Sequence, residues 1–159
     1  VRTFELRQAP PIWKGAGVQV ANDGQNLQIT IGGKPVLAYR HALTPVPQGA
    51  SPLFERAGYI HPLTSPKGGV ITRIQPPDHY HHYGIWNPWT KTEYEGREVD
   101  FWNLYKGQGT VRVKATPFAI SGPVFGQIQA LHEHIVFKDS TDRVGKAALN
   151  EEWDVRVWN

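Results

Sequence analysis

Glycine and proline interrupt this chain so often that only short segments of regular structure fit between them. Its 159 residues include 16 glycines and 13 prolines, the residue types that favour turns and end regular elements. Between them lie segments that alternate apolar and polar side chains or are rich in β-branched residues, and no long window has apolar residues at helical spacing. The sequence therefore predicts an all-β protein of one domain.

The order of these segments predicts antiparallel strands. Near the N-terminus, GVQVAND, LQITIG and KPVLAYR are separated by glycine turns and indicate a meander. An irregular section from residue 41 to about residue 89 follows, with GYIHPL and GGVITRI as its strand segments; loops of this length are commonly functional. The alternation returns in four later segments: EVDFWNLY, GTVRVKATPFAI, GQIQALHEHIVF and EEWDVRVWN.

The last of these segments raises the question of what pairs with it. It places Trp153, Val155 and Val157 on one face of a strand and stops at Asn159 without a turn or cap. An unpaired strand edge leaves backbone hydrogen-bonding groups without partners. We therefore expect the natural domain to continue beyond this chain, or the edge to pair with another copy or with a partner chain.

Composition excludes several classes of function. The absence of cysteine excludes disulfide, zinc–thiolate, iron–sulfur and thiol-nucleophile chemistry. No apolar run approaches the roughly 20 residues of a membrane-spanning helix, so we expect no membrane partner. The formal net charge is only +3 and the Lys and Arg residues are scattered, unlike the basic clusters that bind nucleic acid. The chain also lacks a GxSxG motif and a glycine-rich phosphate loop.

The densest group of chemically active side chains is the stretch PPDHYHHYGIWNPW at residues 76–89. On an extended backbone His79 and His81 would share a face about 7 Å apart, with His82 on the other. Two imidazoles at that spacing can share a zinc, copper or iron ion, with Asp78 or Asp100 as a third ligand. The spacing alone specifies neither that ligand nor the metal. His132 and His134 repeat the spacing, and we interpret that second pair as structural.

Sugar binding accounts for the same stretch without a metal. Carbohydrates need flat aromatic surfaces for their C–H faces and hydrogen-bonding side chains for their hydroxyls. The aromatic candidates are Trp86, Trp89, Trp102, Tyr59 and Tyr83, and the polar candidates are Asp78, Asp100, Arg73, Asn87 and Asn103. Trp102 could equally belong to the core, because VDFW alternates. The nearby carboxylates Glu93, Glu95 and Glu98 are more typical of a solvated loop than of a glycosidase pair.

Two motifs together carry a family resemblance: GYIHPLTSPKGGVITRIQPPDHYHHYGIW, and then VDFWN. They resemble the signature of the bacterial PmoA-like family of unknown function over residues 58–103. The matching positions are His61, Pro62, Leu63, Pro66, Thr72, Arg73, Asp78, His79, His81, His82, Gly84, Trp86, Asp100, Phe101 and Trp102. The resemblance implies a galactose-mutarotase-like antiparallel β-sandwich, or super-sandwich, in the periplasm or outside the cell. Family domains are longer, so residues 1–159 would be the N-terminal portion, incomplete at the C-terminus.

These observations lead to a specific hypothesis. We expect a pocket that binds or acts on a carbohydrate or sugar derivative without a cofactor. Its catalytic candidates are His79, His81, His82 and Asp100, and its substrate-binding candidates are His61, Arg73, Asp78, Trp86 and Trp102. A histidine would transfer a proton and an aspartate would orient it. The alternatives are a metal-dependent hydrolase or oxygenase that uses zinc, copper or iron on His79 and His81, and a non-catalytic carbohydrate-binding or assembly module.

Overall fold

The all-β prediction is confirmed. A computed structural model describes residues 3–5, 17–139 and 141–159, and within these residues it contains nine strands and two 3-10 turns, with no α-helix. The strands are β1 (Val18–Asn22), β2 (Asn26–Ile31), β3 (Lys34–Arg40), β4 (Tyr59–Leu63), β5 (Thr92–Tyr94), β6 (Arg97–Val99), β7 (Gly109–Ile120), β8 (Phe125–Val136) and β9 (Lys146–Trp158). The 3-10 turns are Pro52–Phe54 and Leu104–Lys106. No helix within the described ranges is both long and apolar enough to cross a bilayer.

The strands form three antiparallel sheets, in the orders β1-β2-β3-β4, β5-β6 and β7-β8-β9. The N-terminal meander and the three C-terminal strands are therefore confirmed. The predicted strand in GGVITRI is wrong, because Val70 and Ile74 form only isolated bridges there. The predicted strand in EVDFWNLY ends at Val99, since the chain next turns around the side chain of Asp100.

The first and third sheets pack face to face, consistent with a β-sandwich. One buried cluster joins the two sheets and contains Val18, Leu27, Ile29, Leu37, Tyr39, Ile60, Ile128 and Ala130. Trp153, Val155 and Val157 pack against this cluster, as the alternation of β9 predicts, while Trp158 is exposed. Within the described residues β9 pairs only with β8, so it lies at the edge of its sheet.

A small hairpin closes one end of the sandwich. Strands β5 and β6 are joined by the two-residue turn Glu95–Gly96, in which both residues have positive φ, 49° and 76°; this is the conformation of a type I′ hairpin turn. Beyond β6, Val99 and Phe101 are buried together with Val136 of β8. This contact brings the irregular segment around Trp89 onto β8, because the Phe101 amide donates to the Trp89 carbonyl at 2.8 Å.

Candidate functional site

The three clustered histidines lie on a compact loop, residues 76–82, which we call the histidine turn. The His79 amide donates to the Pro76 carbonyl at 2.8 Å, and the His82 amide donates to the His79 carbonyl at 3.0 Å. The Gln75 amide closes the loop by donating to the His82 carbonyl at 2.8 Å. The backbone is therefore turned and not extended. The expectation that His79 and His81 share a strand face opposite to His82 is wrong, because the turn hydrogen bonds replace a strand ladder.

The turn brings all three imidazoles together. The ring centroids are 5.6 Å apart for His79 and His81, 4.8 Å for His79 and His82, and 4.5 Å for His81 and His82. The Asp78 carboxylate lies 3.0 Å from Nδ1 of His79, and these two side chains are 74% and 50% exposed. The cluster is therefore accessible to solvent, with a carboxylate at its rim.

An aromatic row continues from this cluster into the molecule. The His82 ring meets Trp102 edge-on at 5.6 Å, and the Trp102 ring lies 5.0 Å from that of Trp86. The guanidinium of Arg56 covers Trp86 at 3.9 Å from the ring centroid, a cation–π geometry. Trp102 is half-buried in this row. It is therefore placed beside the histidines, and Phe101 is the core aromatic of VDFW.

Asp100 is buried next to this row and organises the loop that carries Trp102. One carboxylate oxygen accepts from the amides of Trp102 and Asn103 at 3.0 and 2.8 Å. The other accepts from the Asn103 side chain and the Lys106 ammonium at 2.8 and 2.7 Å. Burial raises the pKa of Asp100, but these donors outweigh it and lower the pKa to about 2. Asp100 is therefore ionised at neutral pH and holds Trp102 in position.

Burial, together with charge interactions within the turn, favours a neutral His81. Burial lowers the pKa of His81, and the neighbouring His82 and His79 lower it further, while Asp100 opposes them. The hydrogen bond from His79 lowers the pKa of Asp78, with a smaller effect from the charge of Arg73. A neutral imidazole both accepts and donates hydrogen bonds. The turn thus presents groups suited to hydrogen bonding with hydroxyls.

His61 belongs to a different surface. Its Nδ1 lies 2.9 Å from the hydroxyl of Thr72, which also accepts from the Leu63 amide. His61 lines a groove of about 430 Å³ over the outer face of the first sheet, together with Arg40 and Tyr59. Contacts described above connect most of the other predicted residues: His79, His81, His82, Trp86, Trp102, Asp78 and Asp100. Arg73 is related to them only through the effect of its charge on the pKa of Asp78.

A second polar cluster, centred on Glu151, was missed by the sequence analysis. One Glu151 oxygen lies 3.1 Å from Nδ1 of His132 and 3.3 Å from Nε2 of His134, and the other accepts from Asn87 at 2.6 Å. The Tyr39 hydroxyl lies 2.6 Å from Nε2 of His132. The available signal was the alternation of β9, which places Glu151 on the same face as Trp153 and therefore a carboxylate on the core side.

The electrostatics of this Glu151 cluster are consistent with an ionised carboxylate. Burial raises the pKa of Glu151, but the hydrogen bonds from His132, His134 and Asn87 lower it well below the usual range. Arg56 is 2% exposed, and burial lowers its pKa to about 9, an effect that the Glu151 charge opposes. Arg56 therefore stays cationic at neutral pH and joins the Glu151 cluster to the aromatic row.

A metal ion needs at least three converging ligands at a site held by protein side chains alone. Within the part of the chain that the structure describes, no three His, Cys, Asp or Glu side chains are arranged to hold a metal ion. The histidine turn as folded brings its rings into contact with one another, and the exposed carboxylate of Asp78 is paired with His79.

Comparison with known proteins gives a family but no activity. A family model described as "Family of unknown function (DUF6807)" matches residues 26–159. The chain belongs to this family. No curated protein and no solved structure matches the chain. Residues 26–159 include the histidine turn, the aromatic row and the whole Glu151 cluster.

Proposed function

We propose that this DUF6807 protein binds a carbohydrate or sugar derivative at the histidine turn. The observation that supports the proposal is the contact of an accessible imidazole cluster with a tryptophan pair, His82 to Trp102 and Trp102 to Trp86. An indole offers its apolar surface to sugar C–H groups, and imidazoles bond the hydroxyls at the edge of the ring. Asp78 and Arg73 extend the polar rim.

The same arrangement is suited to proton transfer to a bound sugar. A neutral His81 can accept a proton from a hydroxyl, and its imidazole neighbours His79 and His82 are side chains of the type that acts in general acid–base catalysis. Asp100 acts on this chemistry as a positioning residue, because its carboxylate oxygens are bonded to the loop of Trp102. The resemblance of residues 58–103 to the PmoA-like family further supports a sugar ligand and a periplasmic or extracellular location.

The direct test is a glycan array followed by titration calorimetry on the best ligand. The variants are the double substitution His79→Gln/His81→Gln, which removes two imidazoles from the turn, and His41→Gln, a control at a partly buried histidine outside the turn. We expect the double variant to lose at least tenfold in affinity, because it replaces two imidazole rings at the rim with flexible side chains of different hydrogen-bonding geometry. His41→Gln should bind like the wild type. Equal affinity in all three proteins would refute the assignment of this site.

Metal analysis distinguishes the sugar-binding proposal from the alternative of a metal-dependent enzyme. Chelator-treated protein is reloaded with zinc, copper or iron and measured by mass spectrometry, for the wild type and the same double variant. Under the sugar proposal, the metal content stays far below one equivalent in both. Stoichiometric metal in the wild type that is lost in the double variant would favour the alternative site on His79 and His81.

A further inference from the structure

A cavity of about 180 Å³ lies beside the Glu151 cluster, at the closed end of the sandwich. It is lined by Trp89, Thr92, Glu93, Tyr94, Phe101, His134, Ala148 and Leu149. Trp89 and Leu149 are 43% and 37% exposed, so the cavity reaches the surface between them. Ligand pockets for larger molecules typically have about 300–1,000 Å³. This volume therefore suits a small molecule or one edge of a larger one.

Two buried polar atoms belong to residues that line this cavity. Among the described residues, Nδ1 of His134 and the hydroxyl of Thr92 have no hydrogen-bond partner. His134 is 0% exposed. An unsatisfied buried polar group usually costs about 1–3 kcal/mol, so such groups are rare without a purpose. Both residues line one cavity, so a group bound there that reached these atoms would supply the missing bonds.

The Glu151 carboxylate determines what His134 offers to a ligand. An ionised carboxylate only accepts, so Nε2 of His134, at 3.3 Å, carries the proton and donates. In the neutral imidazole Nδ1 is then a bare acceptor. Such a carboxylate–histidine pair fixes the tautomer and the orientation of the ring. A ligand hydroxyl can donate to this nitrogen, and the Thr92 hydroxyl can donate or accept a second bond.

Three of the six other residues that line the cavity are aromatic: Trp89, Tyr94 and Phe101. The Trp89 ring lies 5.3 Å from that of His134, and the Phe101 ring meets His134 edge-on at 5.1 Å. Aromatic walls suit C–H surfaces, and the two polar residues suit hydroxyls. We propose that this cavity binds a small hydroxylated ligand, a polyol or one hydroxyl-bearing edge of a sugar, through His134 and Thr92. This site is independent of the one proposed at the histidine turn.

The test follows the His134 imidazole nitrogens by NMR in the whole, isotope-labelled protein. Glycerol is titrated first and galactose second, each into the wild type, Thr92→Val and Thr92→Ser. We expect a saturable shift of the Nδ1 resonance in the wild type. The apparent affinity should be about tenfold weaker in Thr92→Val, because valine has the shape of threonine but no hydroxyl. Thr92→Ser keeps the hydroxyl and should bind with near-wild-type affinity. A control with His79→Gln/His81→Gln should leave this response unchanged, so failure at either site is recognised separately.

Two results would overturn the proposal. If neither probe shifts Nδ1 of His134 saturably, the cavity holds no hydroxylated ligand and is filled by water. If the shift is the same in Thr92→Val as in the wild type, Thr92 is not a contact. Thermal unfolding adds a second readout. Without ligand, Thr92→Val should melt at a higher temperature than the wild type, because it removes an unpaired buried hydroxyl. Added galactose should raise the melting temperature of the wild type by more than it raises that of Thr92→Val.

Discussion

The chain contains the pattern His-x-His twice, and the two copies have opposite environments. His79 and His81 lie on an exposed turn, where their rings contact each other and His82. His132 and His134 lie on β8, 1% and 0% exposed, where both reach the same oxygen of Glu151. The strand directs alternate side chains to one face and one partner, whereas the turn folds the imidazoles of His79, His81 and His82 onto one another. Spacing alone therefore does not determine what a histidine pair does.

The largest difference between the two pairs should appear when the buried carboxylate is neutralised. We expect Glu151→Gln to reduce the free energy of unfolding by about 3 kcal/mol, because Arg56 keeps a buried charge and the two imidazoles exchange an anionic acceptor for a neutral amide. Urea unfolding measures this loss. Glu152→Gln is the matched control on the exposed side of β9 and should change stability by less than about 0.5 kcal/mol. Equal effects of the two substitutions would contradict a stabilising role for the Glu151 cluster.

Removing the charge of Asp100 should have a smaller effect on stability, and one that depends on pH. The pKa of Asp100 is about 2 in the folded protein, against an ordinary value of 3.8. Its ionised form therefore contributes stability at pH values above 3.8. This contribution is lost as the pH falls through about 2. We expect Asp100→Asn to be less stable than the wild type by about 2 kcal/mol at pH 7. Unfolding at pH 7 and at pH 2 measures the difference, which should shrink at the lower pH. A difference that is independent of pH would show that the carboxylate charge is not the cause.

The hydrogen bond between Tyr39 and His132 provides a second test of the buried histidine pair. Burial, and then the charge of Glu151, raise the pKa of the Tyr39 phenol, so its hydroxyl stays protonated and donates to Nε2 of His132. Tyr39→Phe should therefore cost about 1 kcal/mol of unfolding free energy. Tyr105→Phe, at an exposed ring, is the control and should be neutral. A neutral result for Tyr39→Phe would mean that His132 finds another donor.

The smallest expected effect concerns the exposed turn. Replacing His82 with glutamine should leave stability within about 0.5 kcal/mol, since the loop is solvated. It should also raise the pKa of His81 toward its ordinary value, because one of the neighbours that lower it is removed. NMR titration of the His81 ring measures the change, with His41→Gln as the control. An unchanged pKa of His81 would indicate that His82 does not affect its ionisation.

Most of the strands could be predicted from the sequence, and the irregular section could not. The alternation in β1, β2, β7 and β9 specifies which face is buried, because a strand places successive side chains on opposite faces. The same alternation places Glu151 on the core face and could have indicated the Glu151 cluster. The histidine turn offered no such rule, since its local hydrogen bonds compete with extended structure in a proline-rich loop.

The sequence by itself determined the all-β class, the order of the main strands and the concentration of polar and aromatic side chains at residues 76–102. Local alternation and turn residues carry that information. Only the tertiary structure decided which groups meet: His82 with Trp102, Arg56 with Trp86, and His132 and His134 with Glu151. These contacts join residues that are distant in the chain, and strand register and loop packing bring them together. No local pattern encodes such distances.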